Sequence, residues 1–451
     1  MLNITEIVAQ NSKTVVNLPP TSEPFIKLTK CLDEIPVNAD DHLQSTCTQP
    51  FEATKVFRYA VVEHEIAASG EDIKTVYDLT LETESTIDYR FNPGDTIGIL
   101  TKNFDHDVDT VMTRLELRDV QSYYRIEIDS STKKKKAAIP PYIPSLVQPR
   151  KLFSECLDLR AIPKKLFINA LIPYTSDEKE KRFLSLLANR HETAFDDIVL
   201  RPSLKFISLL SCIESCKPTI ELLIEHLPRL MPRPYSIANS FDNSVQSTKI
   251  RLIFSLRDQN PGLTTALLEK CSNTDSAVFL YFRKTSSFHF TDDDLGRDIV
   301  MIGVGTGIAP YMGFLERREQ AIDQGDKSLG EAWLFAGFRY ELLSYLCRKE
   351  IEHYLKKTAL TKLSVAFSRD PNSRFRYVQD QIEANKEDLV RILSSSNGRL
   401  FVCGDGKSML PEVTAKIGQI MSVVLGISQE ESAKLIADKK ESGSYVEDIW
   451  L

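Results

Sequence analysis

Residues 298–314 read DIVMIGVGTGIAPYMGF, and the reading of this stretch decides the fold. An apolar run, Ile299 to Ile302, meets glycines at alternate positions, Gly303, Gly305 and Gly307, and a helix-like pattern follows. This is how a strand feeds a glycine-rich turn into a helix, the unit from which parallel sheets are built. In such sheets ligands bind beyond the carboxyl ends of the strands. The glycines permit unusual dihedrals and close backbone approach. A helix starting near Ala309 offers open amides and a positive dipole end to an anion, and Thr306 adds a hydroxyl. The spacing is not the dinucleotide fingerprint G-x-G-x-x-G: counted from Gly303 the last position is Ile308, and from Gly305 it is Pro310. A tight strand-to-helix turn with no ligand accounts for the same residues, so the other motifs must decide.

From Arg297 onward strands and helices alternate. DIVMIG (298–303), AWLFAGF (332–338), KLSVAFS (362–368) and RLFVCG (399–404) are the strands, and helical patterns follow at least three of them. This predicts a doubly wound parallel α/β domain over 296–451. Upstream, KVFRYAVVEHEI (55–66), TVYDLTLETE (75–84), KIRLIFSLRD (249–258) and SAVFLYFRKT (276–285) carry β-branched and aromatic residues with partial alternation. Residues 51–103 and 226–295 are therefore expected to build one antiparallel β-barrel. Between them, over 104–225, apolar residues fall at helical spacing in DVDTVMTRLEL, KKLFINALI and PTIELLIEHLPRL, which predicts an inserted helical domain. Residues 1–50 are polar and irregular and read as a flexible lead-in.

The bulk properties narrow the function. The chain has 451 residues, 42% hydrophobic and 26% charged, and a formal charge of −7. That length implies several domains, and the acidic balance argues against a nucleic-acid binder. No apolar run is long enough to span a bilayer, so no membrane association is expected. The N-terminus MLNITEIVAQNSK lacks the pattern of a secretory signal. The eight cysteines include no C-x-x-C pair, Cys212 and Cys216 in CIESC being the nearest. No metal site is expected, and reduced thiols in the cytoplasm are. KKKK at 133–136 reads as a solvated loop, with a docking patch for an acidic partner as the alternative.

Five further motifs carry chemistry. RPYSIANS (233–240) offers a forked guanidinium for phosphate at Arg233, an aromatic face at Tyr235 and a hydroxyl at Ser236. NPGLTTALLEK (260–270) looks like a helix start at Gly262, with Thr264 or Thr265 in its first turn. VAFSRD followed by RFRYVQDQI gathers Ser368, Arg369, Arg376 and Tyr377 where a third parallel strand ends. Two arginines, a hydroxyl and an aromatic suit an adenosine 2′-phosphate, whereas an acidic residue on a free ribose would suggest NAD; Asp370 is adjacent, so the balance favours NADP without settling it. FVCGDGKSM (401–409) puts Cys403 at the same sheet edge, and YVEDIWL (445–451) ends the chain with Asp448 and Trp450. Each alone has a plain alternative: a strand entry, a capped helix, a charged loop, a small buried hydrophobe, an aromatic docked on a core.

Taken in order, the motifs resemble the NADPH- and FAD-binding half of the diflavin reductases, over about Pro50 to Leu451. The resemblance implies an antiparallel FAD-binding barrel with an inserted connecting domain, followed by a ferredoxin-NADP-reductase-like NADPH domain. It implies FAD contacts from Arg233, Tyr235, Ser236, Gly262, Thr265 and Trp450. It implies NADPH contacts from Gly305, Thr306, Gly307, Arg339, Ser368, Arg369, Arg376, Tyr377 and Gln379. Ser236, Cys403, Asp448 and Trp450 match the groups around the flavin and nicotinamide, where hydride passes from NADPH to FAD and the tryptophan covers the flavin ring. Two departures stand out: Val304 replaces the family's proline in the glycine-rich loop, and TALL follows Gly262 and Leu263-Thr264 where a tryptophan is usual.

Three stretches, STKKKKAAIP (131–140), LRAIPKKLFINALIPYTSDEKEKR (159–182) and LLIEHLPRLMPRPYS (222–236), are most similar to the branch of the family that serves cobalamin-dependent methionine synthase. Only about fifty residues precede the first barrel strand, and they show no alternating strand–helix pattern, so FMN is not expected on this chain. The expected partners are NADPH and either that synthase or a separate FMN or flavodoxin-like protein. A stand-alone NADPH diaphorase and a catalytically silent binding module are the alternatives.

Overall fold

The computed structural model describes residues 2–21, 24–31, 41–117, 122–190, 193–241, 249–256, 261–274, 276–284 and 288–450. Among them the strands, in chain order, are β1 (Ile26–Cys31), β2 (Phe57–Gly70), β3 (Ile73–Glu82), β4 (Thr96–Ile99), β5 (Tyr123–Ile128), β6 (Leu146–Val147) and β7 (Arg233–Ser236). They continue with β8 (Lys249–Ser255), β9 (Val278–Phe282), β10 (Asp298–Val304), β11 (Ala332–Phe338), β12 (Lys362–Phe367), β13 (Gly398–Asp405) and β14 (Tyr445–Trp450). The chain divides into two compact units, residues 1–49 with 100–233, and residues 50–99 with 234–451.

The first unit is mainly helical, as its apolar spacing predicts. Its core is one cluster in which Leu152, Phe153, Phe183, Phe206, Leu209 and Leu223 are fully buried. Small strands join the helices, in the order β1-β5-β6. The flexible lead-in expected for residues 1–50 is corrected by its described part. β1 pairs antiparallel with β5 from Ile26↔Ile128 to Cys31↔Tyr123. Leu2, Ile4, Ile7 and Val8 pack on the helical core, and Glu225 accepts the Phe25 and Ile26 amides at 2.7 and 3.0 Å. Polar average composition concealed two short apolar stripes that tertiary packing uses. His42 is buried with Nε2 3.1 Å from the Thr101 carbonyl, and burial lowers its pKa to about 4, so it is neutral. Lys133 to Lys136 are exposed, with Lys134 Nζ 4.0 Å above the Phe25 ring.

The unit boundaries fall at 99/100 and 233/234. The reason is packing at the junctions. Asn103 Nδ2 donates to the Phe153 and Leu157 carbonyls at 2.7 and 2.6 Å, and the Leu230 amide donates to the Cys156 carbonyl at 2.8 Å.

The second unit holds both expected sheets. One is six-stranded, in the order β7-β4-β9-β2-β3-β8, with antiparallel pairing. It nearly closes: beyond β7 the Ala238 amide donates to the Arg251 carbonyl of β8 at 2.9 Å, and the Arg251 amide returns to Asn239 Oδ1 at 2.8 Å. Closure removes the open edges that a sheet otherwise presents. Alternate residues fill the interior, among them Tyr59, Leu79, Leu81, Ile97, Ile99, Leu252 and Leu280.

The other sheet is five-stranded and parallel, in the order β12-β11-β10-β13-β14. β10 is central and explains why residues 299–302 form an unbroken apolar run. Ile299 and Met301 face one core, Val300 and Ile302 the other, and all four are fully buried. The helix Ala309–Asp323 returns the chain along the sheet. Its Arg318 is fully buried, donating to the carbonyls of Ala359 (2.7 Å), Gly330 (2.6 Å) and Leu295 (3.4 Å). The terminal motif, for which the sequence suggests no strand, forms a fifth one: β14 pairs parallel with β13 from Leu400↔Tyr445 to Asp405↔Trp450.

Candidate active site

The glycine-rich loop forms at the carboxyl end of β10. Residues Gly305–Ile308 make a 3-10 turn leading into the helix, and no side chain caps either segment. Gly305 has φ +57, the left-handed region that glycine adopts without strain. A Cβ on Gly307 would lie 2.4 Å from the Cys403 carbonyl oxygen and 3.3 Å from Trp450 Cη2. The loop is thus pressed against β13 and the chain's last tryptophan, and no side chain among the described residues caps its amides.

A cavity of about 700 Å³ opens at this edge. It collects Gly305 and Thr306 from the loop, Arg339 after β11, Ser368 after β12, Arg376, Tyr377 and Gln379 before and within the next helix, and Trp450. These residues span almost 150 positions of sequence, and the parallel topology brings their strand ends together. Tyr377 is 56% exposed and Trp450 43%, leaving two aromatic faces available for stacking. Arg376 makes no hydrogen bond or ion pair through its guanidinium with the described residues. Gln379 Nε2 donates to Glu412 Oε2 at 2.8 Å, and Ser368 Oγ to the Phe338 carbonyl at 3.3 Å. Val304 pairs with Gly337 in the sheet and is partly exposed at the cavity edge.

Of the residues expected at the nucleotide, Gly307 lies behind the loop against Cys403, and Arg369 is directed to Asp72. The β2–β3 hairpin supplies cavity residues that no sequence motif flagged, Ala68, Ile73, Lys74 and Val76. More than two hundred residues separate them from the loop, so no local pattern could have found them.

A second cluster sits where β7 meets the end of the parallel sheet. The β13–β14 register sets Cys403 opposite Asp448. Ser236 Oγ donates to Asp448 Oδ2 at 2.5 Å, and Cys403 Sγ lies 3.8 Å from the same oxygen. Burial raises the Asp448 carboxyl above its ordinary range, while the Ser236 and Cys403 hydrogen bonds and the charge of Arg283 pull it back. Burial, then the adjacent Asp448, pushes the Cys403 thiol well up, so it is a neutral donor and not a thiolate.

The expected flavin residues are placed as follows. Tyr235 is half-buried, edge-on to Phe254 with ring centroids 6.3 Å apart. Arg233 is exposed and donates from Nη1 to the Met231 carbonyl at 2.8 Å. Gly262 is the N-cap of the helix Leu263–Ser272, and no side chain among the described residues caps it, the arrangement an anion site at a helix start uses. Thr265 Oγ1 donates to the Gly262 carbonyl at 3.0 Å. Thr264, the alternative in that motif, is buried with a hydroxyl that has no partner among the described residues. These features fit a diphosphate at the helix start.

Asp78, Cys347 and Glu350 come within ligating distance of one another. Arg251 fills that cluster as a cation, donating to Glu350 at 2.7 and 2.8 Å and pairing with Asp78.

Comparison with known proteins matches residues 49–262 to the FAD binding domain family and residues 301–414 to the oxidoreductase NAD-binding domain family. The chain is similar to methionine synthase reductase of Homo sapiens, 34% identical over 99% of this chain and 68% of the relative. The Rattus norvegicus protein of the same name is 32% identical over 98% and 68%. NADPH–cytochrome P450 reductase of Musca domestica is 27% identical over 91% and 61%. Motif order, the two sheets and these similarities agree: the chain belongs to the diflavin reductase family, carries its FAD- and NADPH-binding portion, and is an NADPH-dependent flavoprotein oxidoreductase.

Proposed function

We propose that this protein delivers electrons from NADPH for the reductive reactivation of cobalamin-dependent methionine synthase. The observation that carries this reading is the 34% identity, over 99% of the chain, to a methionine synthase reductase, against 27% to a P450 reductase. NADPH and FAD supply the redox chemistry when bound, as hydride donor and acceptor. The protein's residues grip and align them. Gly305, Thr306 and Gly307 frame the diphosphate of NADPH, Arg339, Ser368, Arg369 and Arg376 its 2′-phosphate, and Tyr377 and Gln379 its adenine. Arg233, Gly262 and Thr265 serve the flavin diphosphate, and Tyr235 and Trp450 its ring. Ser236, Cys403 and Asp448 form a hydrogen-bonded set that orients the reacting rings and holds a proton near them. In this assignment 51–103 and 226–295 are the FAD domain, 104–225 the connecting insertion and 296–451 the NADPH domain.

No disulfide bond joins any of the eight cysteines, which supports a reducing compartment, the cytoplasm. Among the described residues no single helix is long and apolar enough to cross a membrane. A second reading, a diaphorase or a reductase for a separate FMN or flavodoxin-like protein, follows from the same cavity and differs only in the acceptor.

The test begins with FAD-loaded protein under anaerobic conditions. NADPH should bleach the flavin far better than NADH, and Arg376→Ala should remove most of that preference, by about tenfold or more. Reactivation of cobalamin-dependent methionine synthase is then measured with and without an added flavodoxin. Ferricyanide reduction without synthase reactivation in either case would leave the diaphorase reading and reject the first.

A further inference from the structure

The hairpin between β2 and β3 reaches the nucleotide cavity and carries a charge there. Gly70 pairs with Ile73, so Glu71 and Asp72 form a two-residue turn, and register shifts at Val61/Glu63, Ile66/Ala68 and Ala68/Gly70 disrupt the regular ladder behind it. Its flanking residues Ala68, Ile73 and Lys74 line the cavity. Asp72 sits at the tip. Its carboxylate pairs with the Arg369 guanidinium, and its backbone carbonyl accepts from Arg339 Nη1. Arg339 Nη1 also lies 3.7 Å from Asp72 Oδ1, and the Tyr340 hydroxyl donates to Oδ2 at 3.3 Å. The two arginines stand on adjacent strand ends and are tied together, the Arg369 amide donating to the Arg339 carbonyl at 2.9 Å. Donors from two strand ends of the nucleotide-binding edge thus converge on one aspartate. Glu71, its neighbour, makes no side-chain bond with the described residues.

We propose that Asp72 is an internal competitor for the 2′-phosphate of NADPH, a specificity-determining residue that sets how tightly the nucleotide is held. The inference rests on the NADPH reading of the cavity. A phosphate monoester carries about −1.5 to −2 charges and three acceptor oxygens, against one charge and two oxygens on a carboxylate, so it can take the arginines from Asp72. A nucleotide without that phosphate cannot displace the aspartate. The phosphate gains the arginines only by giving up their pairing with Asp72, which is subtracted from its affinity. Because Asp72 is 48% exposed and the arginines 36% and 43%, the handicap is modest.

Calorimetric titration of FAD-loaded protein with adenosine 2′,5′-bisphosphate and with 5′-ADP tests this. Asp72→Asn should tighten the 2′,5′-bisphosphate by about three- to tenfold and leave 5′-ADP unchanged. Glu71→Gln removes the same charge one residue away and should change neither. Unchanged or weaker 2′,5′-bisphosphate binding in Asp72→Asn, an equal gain for 5′-ADP, or an equal gain in Glu71→Gln overturns the inference while the NADPH reading stands. If the wild type does not prefer the 2′,5′-bisphosphate, the NADPH reading falls and the inference falls with it. Asp72 lies on an exposed turn, and a matched melting temperature verifies that the variant is folded.

Discussion

Ser236 and Asp448 are 212 residues apart and share a 2.5 Å hydrogen bond, the hydroxyl of a barrel strand donating to a carboxylate on the last strand of the parallel sheet. Asp448 accepts from Ser236, lies beside Cys403, and is half-buried, its desolvation raising the carboxyl while the two hydrogen bonds and the Arg283 charge oppose it. Its folded carboxyl therefore binds a proton more tightly than in the unfolded chain.

The sign of the resulting pH dependence is fixed. Because the folded pKa is raised, the stability this group contributes is full below the unfolded pKa and is lost as pH rises through the folded one. Asp448→Asn should abolish that loss. Melting temperatures of wild type and variant, compared from the acid limit to neutrality, should shift progressively in favour of the variant; a pH-independent difference would reject the assignment.

Gly307 and Gly305 should respond differently to alanine. At Gly307 the new Cβ meets the Cys403 carbonyl oxygen at 2.4 Å, backbone against backbone. Gly307→Ala should cost about 1–3 kcal/mol and distort the loop, weakening NADPH binding. At Gly305 nothing lies within 4 Å of the Cβ, and only φ +57 opposes alanine, a cost of about 1–2 kcal/mol. Denaturation midpoints with NADPH titrations separate the two, since a Gly305→Ala loop should keep more of its affinity.

Arg318 is a buried strut. Burial lowers its pKa to about 10, the nearby Asp298 acting in the opposite sense, so it remains charged at neutral pH. Arg318→Met would fill similar space and orphan the carbonyls of Ala359, Gly330 and Leu295. A loss of about 3 kcal/mol or more is expected in urea unfolding. A loss under about 1 kcal/mol would mean that water or relaxation satisfies those carbonyls.

Native alkylation should spare Cys403. The residue is fully buried and its thiol is held protonated. Brief iodoacetamide treatment followed by peptide mass analysis should find modification at the partly exposed Cys31 and Cys212 and none at Cys403. Early labelling of Cys403 would show a sheet edge more open than the β13–β14 pairing allows.

Much of the fold is legible in residue order alone. The apolar run at 299–302 predicts a strand covered on both faces, and the glycine alternation at 303–307 predicts the turn after it, because both depend on local sterics and burial. The helix beginning at Ala309 and the helix capped by Gly262 follow for the same reason. Phosphate-binding residue types at successive strand ends are legible as an ordered set because parallel topology places every strand's carboxyl end on one edge.

Pairing over long sequence distance came from the tertiary fold. The last residues become β14 only because β13 offers an open edge, and that register alone sets Cys403 against Asp448. The N-terminal residues acquire order only through β5 and the helical core. Asp72 reaches Arg339 and Arg369 only because the β2–β3 ribbon extends to the cavity. Periodicity and residue type marked most strands of the two sheets and the residue types that suit a phosphate, while the cofactors followed only from the order of the motifs and the family they resemble. Which charges and hydroxyls face one another across that chemistry was set by strand register and sheet order, which no window of local sequence contains.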